Sequence, residues 1–390
     1  MNTDELLNEV DTLRGQGMTV VVLIGENGVG KSSFLARYAE HIAVVDHNIN
    51  VMAISNTPHD KFNVNPTSAQ RLGQRNGSRY AMDAIKDSLK RPRNEVATSL
   101  RRVGDVLQGL GYERTVGLAI SGINIAEGLE ESRLSEEVQS LVKKIRNTVK
   151  EELDDQSKVI WIDLDDNNES RTGASIVPRL LQNEATITAA GVCRPVRIVL
   201  RKCITLNGVK KIINFDLDAA SSGEIGYLAS MAWASAKIKE NSVVLIDEPE
   251  NSLHPRWQVQ YIENLYHFFK YEKPFFVVAT HSPVLLSGDQ NYPFDVITYR
   301  LDPDGQVHQI DTADEGLEGI SWSAFQVIPK NNQYVAGMLI DAVNAVCARK
   351  MTIEDAGQFM DEIEKACIDP EQRNVVKIYK QTLMGIINEK

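Results

Sequence analysis

The sequence is poor in cysteine and aromatic residues and has no long apolar run. Its four cysteines form no CxxC pair, which favours free thiols in a reducing compartment over disulfides or a zinc site. The longest apolar run, residues 18–24, is far shorter than the roughly 20 residues that cross a membrane as a helix. The first seventeen residues include acidic side chains and no basic cluster, unlike a secretory signal peptide. We therefore expect a cytoplasmic protein with no membrane partner.

Excess positive charge is also absent, because the formal net charge is −11. This value argues against a protein that coats nucleic acid non-specifically. A basic segment at residues 71–102 nevertheless stands out, and it leaves two interpretations open: a solvated helix face, or a surface for nucleic acid or an acidic partner. The nine cations of this segment are Arg71, Arg75, Arg79, Lys86, Lys90, Arg91, Arg93, Arg101 and Arg102.

A complete phosphate-binding pattern lies near the start of the chain. Residues 25–32 read GENGVGKS, which matches G-x4-G-K-[ST], between an apolar strand and an amphipathic helix. Glycines let the backbone wrap the phosphates with its N–H groups pointing inward. We expect Lys31 to reach the β- and γ-phosphates of ATP and the Ser32 hydroxyl to bind Mg²⁺. The predicted ATP contacts are Gly25, Glu26, Asn27, Gly28, Val29, Gly30, Lys31, Ser32 and Ser33.

Two further apolar strands end in polar side chains. Residues 242–250 read SVVLIDEPE, so Asp247 and Glu248 follow a buried strand at the end where open α/β sheets bind ligands. Taken alone, the pair fits two solvated acids equally well; beside a P-loop it indicates chemistry. We expect Asp247 to lie in the Mg²⁺ shell and Glu248 to act as general base on the attacking water. His281 ends the strand in PFFVVATHSP and is predicted to contact the γ-phosphate.

A second candidate phosphate site opens a helix in the middle of the chain. Residues 219–233 read AASSGEIGYLASMAW. Small hydroxyl residues and a glycine at a helix start suit an anion, because free backbone N–H groups and the helix dipole both face it. The candidate residues are Ser221, Ser222, Gly223 and Glu224.

The order of these motifs resembles that of the ABC-type ATPase head, and their sequences are similar to those of the SMC/RecF/OLD-like group of bacterial ATPases. The resemblance rests on GENGVGKS, SSGE, VVLIDEPENSLHP and THSP, and it covers residues 18–287. It implies an α/β P-loop NTPase fold of ABC type, with a mainly parallel sheet, a helical insertion and a C-terminal helical region. In such heads the signature motif closes on the γ-phosphate held by a second subunit. The resemblance therefore implies a dimer in which Ser221 and the Gly223 N–H complete the partner's ATP site.

The motifs divide the chain into four predicted parts. Residues 1–70 and 157–310 form the ATPase head, with a mainly helical insertion at 71–156 between them and a helical region at 311–390 after them. The family's adenine-contacting group has no counterpart that we can name, and Gln70 and Gln74 both fit its Q-loop glutamine. The tail helices have apolar faces that must be buried, either on the head or on a partner.

The predicted activity is hydrolysis of ATP to ADP and phosphate, coupled to closure of the dimer. The tail carries no nuclease motif of its own. Resemblance to compact ATPases of Septu-type and retron-associated antiphage systems implies that closure controls a separate nuclease or toxin effector. The alternatives are a DNA repair or recombination ATPase of RecF type, a slow ATP-sensing scaffold without significant turnover, and the motor subunit of a transporter.

Overall fold

The computed structural model describes most of the chain as a mixed α/β protein. The residues it describes are 1–15, 17–57, 70–73, 78–90, 93–122, 134–151, 159–165, 172–206, 209–288, 292–312, 316–328, 333–367 and 369–388. Their strands are β1 Thr19–Ile24, β2 Val51–Ser55, β3 Gln70–Gly73, β4 Thr115–Ala119, β5 Val159–Asp163, β6 Arg197–Leu206, β7 Val209–Asp216, β8 Val243–Asp247, β9 Phe275–Thr280, β10 Asp295–Leu301 and β11 Val307–Ile310.

The helices lie between and after these strands. They are α1 Thr3–Thr12, α2 Lys31–Val45, α3 Ser78–Leu89, α4 Arg93–Gly109, α5 Glu136–Glu151, α6 Thr172–Gln182, α7 Glu184–Ala189, α8 Ser222–Lys237, α9 Pro255–Val259, α10 Tyr261–Phe269, α11 Leu317–Phe325, α12 Gln333–Cys347, α13 Ile353–Ala366 and α14 Pro370–Asn388. Among the described residues, no helix is both long and apolar enough to cross a membrane.

A seven-stranded sheet forms the centre of the protein, in the order β11-β10-β1-β9-β8-β2-β3. All neighbouring strands are parallel except β10 and β11. Strands β1 and β9 are buried throughout and mainly apolar because both faces of the sheet are covered. Along β1, Val20 and Val22 face one core, packed by α8 and α10 among other elements, while Val21 and Leu23 face another, packed by α1 and α2. This arrangement confirms the predicted α/β fold with a mainly parallel sheet.

A second, antiparallel sheet has the strand order β5-β4-β6-β7. Strands β6 and β7 form the hairpin expected from the sequence, with Val199 opposite Asp216 and Leu206 opposite Val209. Strand β4 comes from the segment 71–156, whereas its neighbours come from residues after 156, so the sheet spans that predicted boundary. Helices α3 and α4 pack against α8. The described residues of segment 71–156 thus include helices α3, α4 and α5, and they also contribute β4 to a sheet shared with the following part.

The last three helices, α12, α13 and α14, bury apolar side chains against one another, whereas Ile320 and Ala324 of α11 lie in a core beside the main sheet. Val335 and Leu339 of α12, Met360 and Ile363 of α13, and Val376 of α14 belong to one buried cluster, separate from the two cores beside the main sheet. The sequence left the head or a partner as candidates for this burial, and the structure shows a third arrangement, a helical bundle with its own core. Amphipathic helices joined by short loops can satisfy one another in this way.

Candidate nucleotide site

The predicted site residues gather at one edge of the main sheet. Strand β9 lies between β1 and β8, and all three are parallel, so their carboxyl ends meet. Residue 25 follows β1, Glu248 follows β8 and His281 follows β9. Polar side chains at the carboxyl edge of a parallel sheet form the usual ligand site of open α/β folds. The fold thus brings together residues that are more than 200 positions apart in the sequence.

The loop between β1 and α2 has the backbone conformation that its glycines allow. Gly28 and Gly30 have φ angles of 88° and 105°, which favour glycine. A Cβ atom on Gly25 would lie only 2.5 Å from the carbonyl oxygen of Leu301, so the loop passes close to the end of β10. No side chain caps the N-terminus of α2 at Gly30. The first-turn N–H groups of α2 are therefore suited to bind an anion.

Lys31 is a buried cation inside this loop. Its Nζ atom donates to the carbonyl oxygens of Gly25 and Glu26, both at 2.8 Å. Burial lowers the pKa of Lys31, and the nearby carboxylates, led by Glu248, oppose that shift. A phosphate would supply the counter-charge that the two carbonyl oxygens only partly replace.

Ser32 and Asp247 form a pair of oxygen ligands next to Lys31. The Ser32 hydroxyl donates to Asp247 Oδ1 at 3.0 Å, and the aspartate is buried. Burial raises the pKa of Asp247 to about 6, the Ser32 hydrogen bond acts in the opposite direction, and Glu248 adds to the rise. A hydroxyl and a carboxylate are hard oxygen donors of the kind Mg²⁺ prefers. This donor set fits the metal, and the cation would offset the desolvation of the carboxylate.

Glu248 is held in an unusual backbone conformation. Its φ angle is 49°, in the left-handed region that a glutamate rarely adopts. The Glu248 N–H donates to the carbonyl of Ala279 at 2.8 Å, and the Asn251 side chain donates to Glu248 Oε2 at 2.8 Å. With its side chain 22% exposed, Glu248 remains accessible to water. Such strain persists only where surrounding contacts impose it, and it is common at functional sites.

Sequence reasoning missed Glu250, the third acid of the DEPE stretch. Its side chain is 4% exposed, and Oε1 accepts hydrogen bonds from the Thr280 hydroxyl at 2.6 Å and the His281 N–H at 2.7 Å. The sequence offered a signal, because a glutamate two residues after the predicted base lies too close to the sheet edge to be freely solvated. A buried carboxylate requires such partners.

The signature residues form the N-terminus of α8. Ser221 is the N-cap, and its side chain and that of Glu224 form a capping box, in which Ser221 Oγ accepts from the Glu224 N–H and Glu224 Oε2 accepts from the Ser221 N–H. Ser221 and Ser222 are exposed, while Gly223 is buried against the carbonyl of Ser252. The carboxylate of Glu224 also accepts a hydrogen bond from the Tyr112 hydroxyl at 3.3 Å. These contacts hold the start of α8 in place, and its two serines are exposed.

A known family model matches part of this chain. The family model described as "AAA domain, putative AbiEii toxin, Type IV TA system" matches residues 90–287, just over half of the chain. The chain belongs to this family of P-loop ATPases. No curated protein matches it. The matched range contains the signature residues, Asp247, Glu248 and His281, and the phosphate-binding loop precedes it.

One of the two candidate Q-loop glutamines, Gln70, lies in the described part of the chain, and it is away from the site. Gln70 is the first residue of β3, at the amino end of a strand parallel to β2, and its side chain donates to Asn50 Oδ1 at 3.1 Å. The carboxyl edge of the sheet is thus at the opposite end of that strand. Gln74 lies outside the described residues. The buried Asn56, which follows β2, does lie at the site edge, where its N–H donates to the carbonyl of Asp247 at 3.2 Å.

Ion pairs partly neutralise the basic segment at residues 71–102. Lys86 contacts Glu184 at 2.6 Å, Lys90 contacts Asp87 at 2.7 Å, and the buried Arg102 pairs with Glu272. Arg101 is exposed. Residues 75 and 91, and the side chains of residues 79 and 93, lie outside the described part. Lys86 and Arg102 are therefore engaged in ion pairs within the protein. This reduces the positive charge that the segment offers to a nucleic acid.

Proposed function

We propose that this chain binds Mg-ATP in sites completed by a second copy of itself, hydrolyses the ATP, and uses the resulting closure to control a separate effector. The main support is one observation: Lys31, the Ser32–Asp247 pair, Glu248 and His281 meet at one sheet edge. This set provides a cation for the phosphates, oxygen ligands for a metal, and a carboxylate exposed to water. Phosphoryl transfer to water needs these three kinds of group to be positioned around the same phosphate.

Each residue has a defined part in the proposed chemistry. Lys31 exchanges the carbonyl oxygens of Gly25 and Glu26 for the β- and γ-phosphate oxygens of ATP. Ser32 and Asp247 would hold Mg²⁺, which would supply positive charge against the phosphates. Glu248 accepts a proton from the attacking water, and the hydrogen bond from Asn251 fixes the direction of its carboxylate.

The exposed start of α8 supports a site shared between two copies. The chain carries one P-loop and one signature, so a two-fold axis that pairs them produces two equivalent ATP sites. Ser221 and the Gly223 N–H then face the γ-phosphate of the partner's ATP, at a helix start that also contains Ser222 and is capped by Glu224. Hydrolysis removes the phosphate that bridges the two copies and releases them. This arrangement is the one expected of the SMC/RecF/OLD-like group.

The proposed biological role is antiphage defence, with a nuclease or toxin as effector. Two observations support this role. The description of the matched family names a putative toxin of a toxin–antitoxin system. The motif sequences are similar to those of Septu-type and retron-associated ATPases. A defence role predicts that phage resistance conferred by the chain with its neighbouring genes is lost in Lys31→Ala. Plaque counts on cells carrying either version measure this.

The solution mass of Glu248→Gln with and without Mg-ATP tests the proposal, measured by light scattering. We expect the mass to double with ATP, because the variant retains the nucleotide and lacks the general base. Glu248→Gln combined with Lys31→Ala is the matched control and should not respond. If ATP binds Glu248→Gln without changing its mass, closure on a second copy is wrong. If wild-type and Glu248→Gln proteins hydrolyse ATP equally fast, Glu248 is not the base.

A further inference from the structure

Glu250 is a buried carboxylate between the proposed general base and His281. Its Oε1 atom accepts from the Thr280 hydroxyl and the His281 N–H, so it holds the loop that carries the histidine. The same oxygen lies 3.1 Å from His281 Nδ1, while the nearest oxygen of Glu248 lies 3.9 Å from that nitrogen. Of the two carboxylates, Glu250 is therefore the closer partner of the imidazole.

Two buried polar atoms near this contact are incompletely paired. Glu250 Oε2 and His281 Nδ1 have no hydrogen bond of good geometry to any described residue. Nδ1 is within reach of Glu250, but the ring is turned so that the alignment is poor. A buried donor or acceptor without a hydrogen bond lowers the free energy of unfolding, commonly by about 1–3 kcal/mol for each group. A small rotation of the imidazole about its side-chain bonds would align Nδ1 with Oε1.

We propose that Glu250 is a positioning residue for His281. Its carboxylate fixes the backbone at Thr280 and His281 and accepts the Nδ1–H of the imidazole, which turns the Nε2 edge of the ring toward the γ-phosphate. The ring donates to a phosphate oxygen once Nε2 also carries a proton, and Glu250 then balances the positive charge of the ring. A ring nitrogen that faces a carboxylate must carry the proton, and this sets the tautomer of the neutral ring. The proposal rests on the ATP site described above for its role in turnover, but the orientation of the ring is a property of the protein without nucleotide.

The orientation is tested first, on full-length protein labelled with [¹⁵N]histidine and free of nucleotide. Two-bond ¹H–¹⁵N spectra report which ring nitrogen carries the proton for each of the seven histidines, and His281→Asn identifies the signals of His281. We expect a protonated Nδ1 in the wild type. In Glu250→Gln the carboxamide oxygen keeps the hydrogen bonds from Thr280 and His281 N–H but accepts more weakly from Nδ1–H than a carboxylate does, so the share of His281 with its proton on Nε2 should rise.

A matched control removes a carboxylate that has a similar structural role elsewhere. Glu184 accepts a hydrogen bond from the backbone N–H of Val196 at 2.8 Å and one from Lys86. Glu184→Gln should lower stability yet leave the His281 signals unchanged. Unchanged His281 signals in Glu250→Gln, with the control folded, would overturn the proposal.

Steady-state kinetics then tests the consequence for turnover. We expect Glu250→Gln to lower kcat for ATP by about tenfold, with KM changed by less than about twofold, because the loss concerns the reacting phosphate. Glu250→Gln combined with His281→Asn should be no slower than His281→Asn alone. If the two substitutions lower kcat by the product of their separate effects, Glu250 acts independently of the histidine and the proposal is overturned. Wild-type turnover in Lys31→Ala would instead refute the proposed ATP site, and the spectra would still decide the orientation.

Discussion

The contact between Gly223 and Ser252 predicts a large effect from a single added methyl group. In Gly223→Ala the new Cβ would lie 1.9 Å from the carbonyl oxygen of Ser252. The two atoms must separate by about 1.5 Å to regain ordinary van der Waals contact at 3.4 Å. Ser252 has a left-handed φ of 62°, and the N–H of the buried Leu253 donates to the Glu250 carbonyl at 2.9 Å. The turn is therefore poorly able to move, and the start of α8 must shift instead.

The expected cost follows from overpacking a constrained contact, about 1–3 kcal/mol of unfolding free energy. Gly357→Ala is the matched control, because Gly357 lies inside α13 with nothing within 4 Å of its added Cβ. That change should stabilise the protein by about 0.5–1 kcal/mol through helix propensity. The same substitution thus has opposite predicted signs at two helical glycines.

Two assays test this prediction. Urea unfolding measures the difference in stability, and light scattering in the Glu248→Gln background measures ATP-driven association. We expect Gly223→Ala to bind nucleotide at the P-loop but to associate poorly, because Ser221 and Ser222 are displaced. Wild-type stability together with normal association in Gly223→Ala would refute the reasoning about this contact.

Three further predictions concern the charged groups. Lys31→Ala should weaken ATP binding by about ten- to a hundredfold, the loss expected for a charge-assisted contact, and calorimetry showing equal affinity would contradict the P-loop assignment. Because the pKa of Asp247 is raised to about 6, Mg²⁺ must displace a proton below that pH, and its Kd should be about tenfold higher at about pH 5 than at about pH 7.5; a titration of Mg²⁺ that shows no pH dependence would contradict this. Arg102→Glu should destabilise the fold by about 3–5 kcal/mol by leaving Glu272 without its cation, whereas thermal unfolding of Arg101→Glu should match the wild type.

The last of these predictions also changes how a nucleic-acid surface is tested. Reversing the charge of Arg102 together with its neighbours would combine a surface effect with loss of a buried ion pair. Arg101 is exposed and provides a test of the surface alone. The sequence shows nine cations in this segment, but the burial of each one depends on the tertiary structure.

The local features of the candidate site were predictable from the sequence. A strand, a glycine turn and a helix are encoded in consecutive residues, and β1 with α2 occupies the expected positions. Apolar runs that end in Asp247 and His281 likewise identified strands β8 and β9. These patterns are informative because burial on both faces of a parallel strand leaves almost no polar residue inside it.

The long-range features could not be read in the same way. The position of β10 beside β1, and of Gln70 away from the site, depends on strand order, which the local pattern does not specify. The contacts of Glu250 with Thr280 and His281 join residues about thirty positions apart. The apolar faces of the tail helices were visible, but amphipathicity indicates only that a face is buried, not what covers it.

The position of β1 in the sheet has a consequence for how the protein is made. Both neighbours of β1 come from the last third of the chain, from β9 at Phe275–Thr280 and β10 at Asp295–Leu301. On the ribosome, the apolar segment TVVVLI leaves the exit tunnel long before the strands that pair with it exist. Until then its backbone groups are unpaired, a state that favours aggregation. The phosphate-binding loop is thus synthesised well before both strands that flank β1 in the sheet.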